Sequence, residues 1–426
     1  MARNQSPEGR DSKRNPALSL LCSTEAIRAN SLLTIDMITN EAVRLFTQTN
    51  AFLRTVSRQY DDQFARTGAK IGNTLRIRLP NDYLVGTGPA ITPQGTNEQN
   101  TTLTVATQKH VPVSFGTAEK TMSLDDFSER ILAPAVNRLA AAVAGDLMTL
   151  ADSSATLVMN TAGGNLASPI PQTWLRAGAY LDQNLAPRMD RQIILDPITQ
   201  ANTVGTLAGL FNPQQKISGQ YETGLITKDT LGFDWMYDQT TKIHTVGTFS
   251  AGTVNGAGQT GNTLVVNAIT GTLNKGDIIT IAGVNAINRL TGQTQGELRQ
   301  FVVTANVASG ATSIPIYPAI VPAPAAYNTV TASPANSAAI SLVATAGSSY
   351  RQNLAFYPEA FTLATADLEM PTAGVVQAAR AEFDGVSLRM IEAYDVMNDA
   401  LITRMDILYG FAAIRPEWAC VVADVV

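Results

Sequence analysis

Between Arg299 and Arg351 the chain runs through 51 residues, 300–350, without one charged side chain. The wider stretch 241–350 holds only six, Lys242, Lys275, Asp277, Arg289, Glu297 and Arg299, although the chain has 30 basic and 35 acidic residues. Soluble surfaces are rich in charge, so so neutral a stretch is either disordered or covered by β-structure and neighbours. Its short β-branched runs decide for the second. Thr263–Asn267, Asp277–Ile281, Gln300–Thr304 and Ser313–Tyr317 are separated by clusters of Gly, Asn, Ser and Pro, the pattern of compact all-β units. A small barrel or sandwich is predicted over 241–350. Because ordinary charge density returns at Arg351, this module is inserted in the chain and not appended to it.

A chain of 426 residues has length for two or three domains. No apolar run approaches the ~20 residues of a membrane-spanning helix, and Leu18–Leu21 is too short for a signal-peptide core, so neither membrane insertion nor export is expected. Two cysteines, Cys22 and Cys420, nearly a chain length apart, argue against a disulfide framework and for buried thiols in a reducing compartment. The formal charge of −5 disfavours sequence-independent nucleic-acid binding over the whole surface, leaving room only for a local basic patch.

Along the chain, residues 1–30 read as a loose polar tail. Apolar residues from Leu32 to Val56 recur at helical spacing, interrupted at Thr47–Asn50, which predicts an amphipathic arm. The period then changes to two. Leu75, Ile77 and Leu79 alternate with Arg76 and Arg78, and later Val111, Val113 and Phe115 alternate in the same way, which predicts the two strands of one long hairpin around a loop tip at Asn81–Thr102. Ser123–Ala151 carries the strongest helical pattern, opened by a box of Ser123 and Asp126, with a kink expected near Arg130 because of Pro134. Residues 166–240 read as α+β, with a helix at Trp174–Leu185, a strand at Gln192–Leu195 and turns at Asn212-Pro213 and Ser218-Gly219. An alternating strand over Leu401–Tyr409 comes near the end of the chain.

No catalytic constellation is visible. The two histidines, His110 in a strand and His244 in a loop, lack partners at metal-ligand spacing. Nucleophile-elbow, Walker and dinucleotide motifs are absent from the sequence. The pairs Asp61-Asp62 and Asp125-Asp126 put adjacent carboxylates on different helix faces, and the second reads as helix-start charge. Gly256–Gly261 is glycine-rich without a following helix and reads as a surface loop. Arg10, Lys13 and Arg14 form a basic cluster in a solvated tail. Trp235, Trp418, Tyr237, Tyr357 and Tyr409 read as core aromatics. We therefore assign no catalytic, cofactor-binding or metal-binding residue, and no cofactor.

The order of these parts, with Leu273-Asn-Lys-Gly-Asp-Ile-Ile-Thr-Ile-Ala-Gly-Val284, Phe301–Thr304, Asn353-Leu-Ala-Phe-Tyr-Pro358 and Tyr409-Gly-Phe-Ala-Ala-Ile-Arg-Pro-Glu417, resembles the major capsid (coat) proteins of tailed phages with the Hong Kong 97-like fold. More narrowly it resembles the subgroup typified by the coat protein of Salmonella phage P-22, in which a β-barrel I-domain is inserted into the A-domain. The resemblance implies an α+β fold with an N-arm at 31–65, an E-loop hairpin at 66–120 that laps a neighbour, and a P-domain with its spine helix at 121–165. It further implies a first part of the A-domain at 166–240, the I-domain at 241–350 and closing strands of the A- and P-domains at 351–426.

It implies a non-enzymatic subunit that self-assembles into hexamers and pentamers of an icosahedral head. A scaffolding protein would guide assembly in the bacterial host cytoplasm, a portal protein would occupy one vertex, and the inner surface would meet packaged double-stranded DNA weakly and without specificity. Arm and E-loop would gain most of their burial only against neighbours. In the P-22 type a charged D-loop of the I-domain pairs across twofold contacts. The equivalent stretch here, Gly247–Thr263, has no charge, so that ion pairing is not implied and any contact there would use backbone and amide hydrogen bonds. No lysine and asparagine of a chemical crosslink are identifiable. The alternative reading is a surface β-adhesin or other viral structural or decoration module, which would be exported and monomeric or trimeric.

Overall fold

The computed structural model describes residues 35–59, 74–80, 98–116, 133–152, 156–162, 165–207, 230–325 and 327–426, with single positions 83, 93, 95 and 226 between them. The tail and its basic cluster, both acidic pairs, the Ser123 box, the Arg130 kink, the 212–219 turns and Cys22 lie outside the described residues.

Helix α1 (Ile35–Thr49) gives way to α2 (Ala51–Thr55) at Asn50, inside the predicted interruption. Asn50 breaks and restarts the helix because its side-chain oxygen accepts from the backbone N–H of Phe52 (2.9 Å) and Leu53 (3.1 Å). The arm does not wait for a neighbour to be buried. Ala42, Val43, Phe46, Phe52 and Leu53 are at most 1 % exposed, packed on this chain's own sheet and spine helix, so the expectation of burial against neighbours is corrected for these residues. The apolar stripe is wide enough to be satisfied within the subunit.

Strand β1 (Thr74–Arg78) pairs antiparallel with β2 (Asn100–Thr104), whose start falls inside the predicted loop tip. The later alternating run is β3 (Thr107–Gly116), and it is not the mate of β1. It pairs along its whole length with a strand near the end of the chain, from Gly116 opposite Ala400 to Thr107 opposite Tyr409. The physical reason lies on its inner face, where Lys109, Val111 and Val113 meet the spine helix and main core. That helix, α3 (Ala133–Asp152), buries Val136, Leu139, Ala140, Val143, Ala144, Leu147, Met148 and Ala151, the predicted three- and four-residue spacing.

Next come β4 (Thr156–Val158), β5 (Asn160–Ala162), β6 (Asn165–Ala167), α4 (Pro171–Gln183), β7 (Gln192–Leu195), α5 (Pro197–Leu207), β8 (Asp234–Tyr237) and β9 (Ile243–Thr245). The module contributes β10 (Gly261–Val265), β11 (Ile278–Ile287), β12 (Thr294–Val303), β13 (Ser313–Ile320) and β14 (Ile340–Leu342). The chain closes with β15 (Ser349–Phe356), β16 (Phe361–Ala366), β17 (Gln377–Phe383), β18 (Val386–Asp395), β19 (Ala400–Ala413) and β20 (Ala419–Val425). One six-stranded sheet runs β4-β20-β15-β7-β8, with β9 also on β15. A five-stranded sheet runs β16-β19-β18-β17, with β3 on β19. Both sheets and α1–α4 enclose one core.

The charge-poor stretch has a core of its own, built from residues such as Val254, Leu264, Ile279, Ile281, Phe301, Val303, Ile314 and Ile316. Its sheet runs β10-β13-β12-β11-β14. Residues 251–254 bridge the continuations of both edges, with Thr253 opposite Ala339, Val254 opposite Val266 and Ala251 opposite Thr270, so the sheet closes into a barrel. The stretch 247–263 is therefore not a single protruding loop. Phe249 and Val254 are buried wall, and the longest exposed run is the turn at 255–258. That turn is tied by Gln259, whose side-chain nitrogen donates to the carbonyls of Asn255 (2.7 Å) and Val265 (2.8 Å) and whose oxygen accepts from Val265 N–H (2.7 Å). The chain enters and leaves the barrel side by side, because β9 pairs with β15 and Val246 N–H donates to Ser348 O at 2.9 Å.

Candidate assembly surface

Among the described residues no group of three or more His, Cys, Asp or Glu side chains is placed to hold a metal ion. His110 is exposed on β3. His244, expected in a loop, sits in β9, and its Nε2 lies 2.8 Å from Oδ1 of Asp277. The other oxygen of Asp277 accepts from the backbone N–H of Gly247 (3.0 Å) and Asn274 (2.7 Å). Gly247 has no alternative, since a Cβ there would lie 2.2 Å from Thr272 O and 2.9 Å from the Asp277 carboxylate. Asp277 is the aspartate of the Lys-Gly-Asp run. Its role is to bind the neck of the barrel to β9, which its type and spacing did not reveal.

The other charges of the module follow the same rule. Lys242 Nζ donates to Thr149 Oγ1 on the spine helix. Arg289 lies 3.5 Å from Glu417, and Glu297 accepts from the Tyr180 hydroxyl (3.1 Å) and lies 3.9 Å from Arg176. Burial, helped by Glu297, pushes the Tyr180 phenol up to about 12. Arg299 is half-buried near Glu417 and Tyr317, and desolvation lowers its pKa. Lys275 is exposed; Arg289 and Glu297 are exposed as well but face partners across the seam. Lys275 apart, the module's few charges are engaged at its neck and its seam with the rest of the subunit.

On the body, β19 is locked to the spine helix. Asp146 accepts from the Tyr409 hydroxyl (2.6 Å) and pairs with Lys109 (2.6 Å). Partial desolvation of the Asp146 carboxyl works the other way, but these hydrogen bonds hold its pKa below the ordinary value, while burial and the carboxylate raise that of Tyr409. At Gly410 the backbone of 104–105 crosses so closely that a Cβ would lie 2.0 Å from Thr104 O. The terminal motif thus seats the β1–β2 hairpin through Gly410. Trp418 caps it, with Arg415 4.1 Å from its ring centre and its indole N–H donating to Asn184 O. Trp418 and Tyr409 are core aromatics as expected, Trp235 is half-buried against Trp174, and Tyr237 departs from the expectation at 55 % exposed.

Cys420 is buried, and burial pushes its thiol up to about 12.

Among the exposed apolar side chains of the body are two at one turn. The turn between β18 and β19 is fixed by Asp395, whose carboxylate accepts from Met397 N–H (2.9 Å) and the Asn398 amide (2.7 Å), and by Tyr394 donating to Asp399 (2.8 Å). It displays Val396 and Met397 at 78 % and 90 % exposed. Val396 and Met397 are among the most exposed large apolar side chains of the described residues, which makes this turn the candidate contact.

The family described as "P22 coat protein - gene protein 5" matches residues 90–422. A comparison with curated proteins finds no match. Solved structures with similar chain course include one described as Mycobacterium phage Che8 (10 % identity, 88 % of this chain and 90 % of that one, TM-score 0.45). The capsid of Ralstonia phage GP4 matches at 8 % identity over 89 % and 88 % of the two chains, with TM-score 0.45. The capsid structure of cyanophage P-SCSP1u matches at 11 % over 83 % and 84 %, with TM-score 0.44. The family match alone carries the assignment.

Proposed function

Since the chain belongs to the P22 coat protein family, and is thus a major capsid protein of a phage head and not an enzyme, we propose how its parts serve that shell. The subunit self-assembles into capsomers and its place is the virion capsid. The barrel at 241–350 is the I-domain, inserted in an A-domain of 166–240 and part of 351–426. The P-domain comprises 121–165 and closing strands, and 66–120 is the E-loop, of which the β1–β2 hairpin is the root and β3 the anchor in the body sheet. Residues 31–65 are the N-arm, and 1–30 its tail.

Capsomers are hexamers and pentamers, formed in the host cytoplasm on a scaffolding protein, with a portal protein at one vertex and DNA against the inner face. The observation that carries the family assignment is the match over 90–422. The exposed Val396 and Met397 support contact between copies at the β18–β19 turn, because a closed shell sums many modest interfaces. Ion pairing by the I-domain is not part of this reading, since its charges, Lys275 apart, are engaged within the subunit. The test is expression of the chain with its scaffolding partner followed by electron microscopy. Uniform shells tens of nanometres across are expected, and discrete small oligomers under every condition tried would sink the proposal.

A further inference from the structure

The barrel is held to the subunit at two places of different character. At its neck the contacts are buried: His244 meets Asp277, Gly247 N–H donates to the Asp277 carboxylate at 3.0 Å, and Val246, Ile278, Val302 and Ala344 belong to the main core of the body. Along its flank they are polar and wet. Arg176 and Glu297, 57 % and 52 % exposed, stand 3.9 Å apart, and a crevice of about 20 Å³, lined there by Tyr180, Asn184, Glu297 and Arg299, has room for about one water.

The centre of the flank is Gln300. Its Oε1 accepts from Leu157 N–H at 2.9 Å and its Nε2 donates to Leu157 O at 3.1 Å, so one side-chain amide stands where a neighbouring strand would stand. Leu157 lies in β4, the outermost strand of the six-stranded sheet. An uncovered edge strand offers its N–H and C=O groups to any passing chain, and here the amide of Gln300 occupies them.

We propose that the barrel is a hinged strap: its neck is a fixed pivot and its flank a salt-sensitive latch, whose release uncovers the outer edge of β4. Half-exposed ion pairs are screened as salt rises, whereas the buried carboxylate at the neck keeps its partners, so the two attachments respond differently to one variable. The strap is a property of the subunit and does not depend on whether particles form.

Hydrogen exchange of the full-length chain, read by mass spectrometry, tests this at about 50 mM and about 1 M NaCl, where the screening length falls from roughly 14 Å to 3 Å. Leu157 is expected to exchange about tenfold faster at the higher salt while Gly247 stays protected, reflecting local and not global opening. Glu297→Ala is expected to show the fast Leu157 exchange already at low salt, and Gln300→Ala to show it at both. Leu157 protection unmoved by salt and by Glu297→Ala would overturn the latch. Protection surviving in Gln300→Ala would overturn the strap, and Gly247 accelerating in step with Leu157 would overturn the pivot. Unchanged circular dichroism confirms that each variant is folded.

Discussion

Replacing Asp277 by alanine removes the fully buried side chain that ties the barrel's first turn to β9. The carboxylate is fully buried and accepts from His244 at 2.8 Å, Gly247 N–H at 3.0 Å and Asn274 N–H at 2.7 Å. Alanine strands two backbone donors, and an unsatisfied buried donor costs about 1–3 kcal/mol, so a loss of about 3–4 kcal/mol is expected. That is a large part of a domain's stability of roughly 5–15 kcal/mol. Asparagine behaves differently. With its amide oxygen toward the two N–H groups and its NH₂ toward the imidazole, Asp277→Asn keeps all three contacts and should cost about 1 kcal/mol. All three tryptophans, Trp174, Trp235 and Trp418, lie outside 241–350, so urea unfolding is followed by circular dichroism, which sees the barrel. With a slope near 2 kcal/mol/M, the alanine variant's midpoint falls by about 1.5–2 M. A shift equivalent to less than about 0.5 kcal/mol would refute the reasoning.

Three further predictions rest on single contacts. Gly410→Ala must push the 104–105 backbone away, so limited proteolysis should cut near Thr104 while the rest of the chain stays resistant; an unchanged digest contradicts this. Tyr409→Phe strands the Asp146 hydrogen bond and should cost about 1 kcal/mol in thermal unfolding, with Lys109 retaining part of the lock. Asp182 is desolvated, which opposes ionisation, but Arg191 and Arg188 hold its pKa below the ordinary value near 4. A lowered folded pKa contributes stability that is present above the unfolded value and lost as pH falls through the folded one. The stability gap between wild type and Asp182→Asn should therefore be constant above about pH 5 and shrink below pH 4, and a gap independent of pH would contradict it.

The parts written in local pattern were legible in the sequence. The neutral run with its β-branched segments foretold a barrel with its own core, and the spacing from Ala135 to Ala151 foretold the buried face of α3. What failed was the choice of partner. β1 and β3 carry the same alternation, and that alternation does not distinguish a strand that turns back on Asn100–Thr104 from one that pairs with β19, nearly three hundred positions on. The distinguishing signal was Lys109, a charge on the inner face of β3, which makes sense only opposite Asp146. The arm was misjudged for a related reason, since an amphipathic stripe shows that a face is covered without showing by whom. At the seam, Asp277 and Gln300 were invisible because a buried polar residue is identified by the backbone groups it satisfies, and those come from elsewhere in the chain.

As a member of the P22 coat protein family this chain is a shell subunit, and its barrel, Lys275 apart, turns its charges toward its own body. A side-chain-resolution electron microscopy map of the assembled particle tests it most directly. Hexamers and pentamers are expected in which Val396 and Met397 are covered by a neighbouring copy, while Arg289 and Glu297 still face Glu417 and Tyr180 of their own subunit. A map in which those two charged side chains cross to another subunit, with Val396 and Met397 left in solvent, would contradict it.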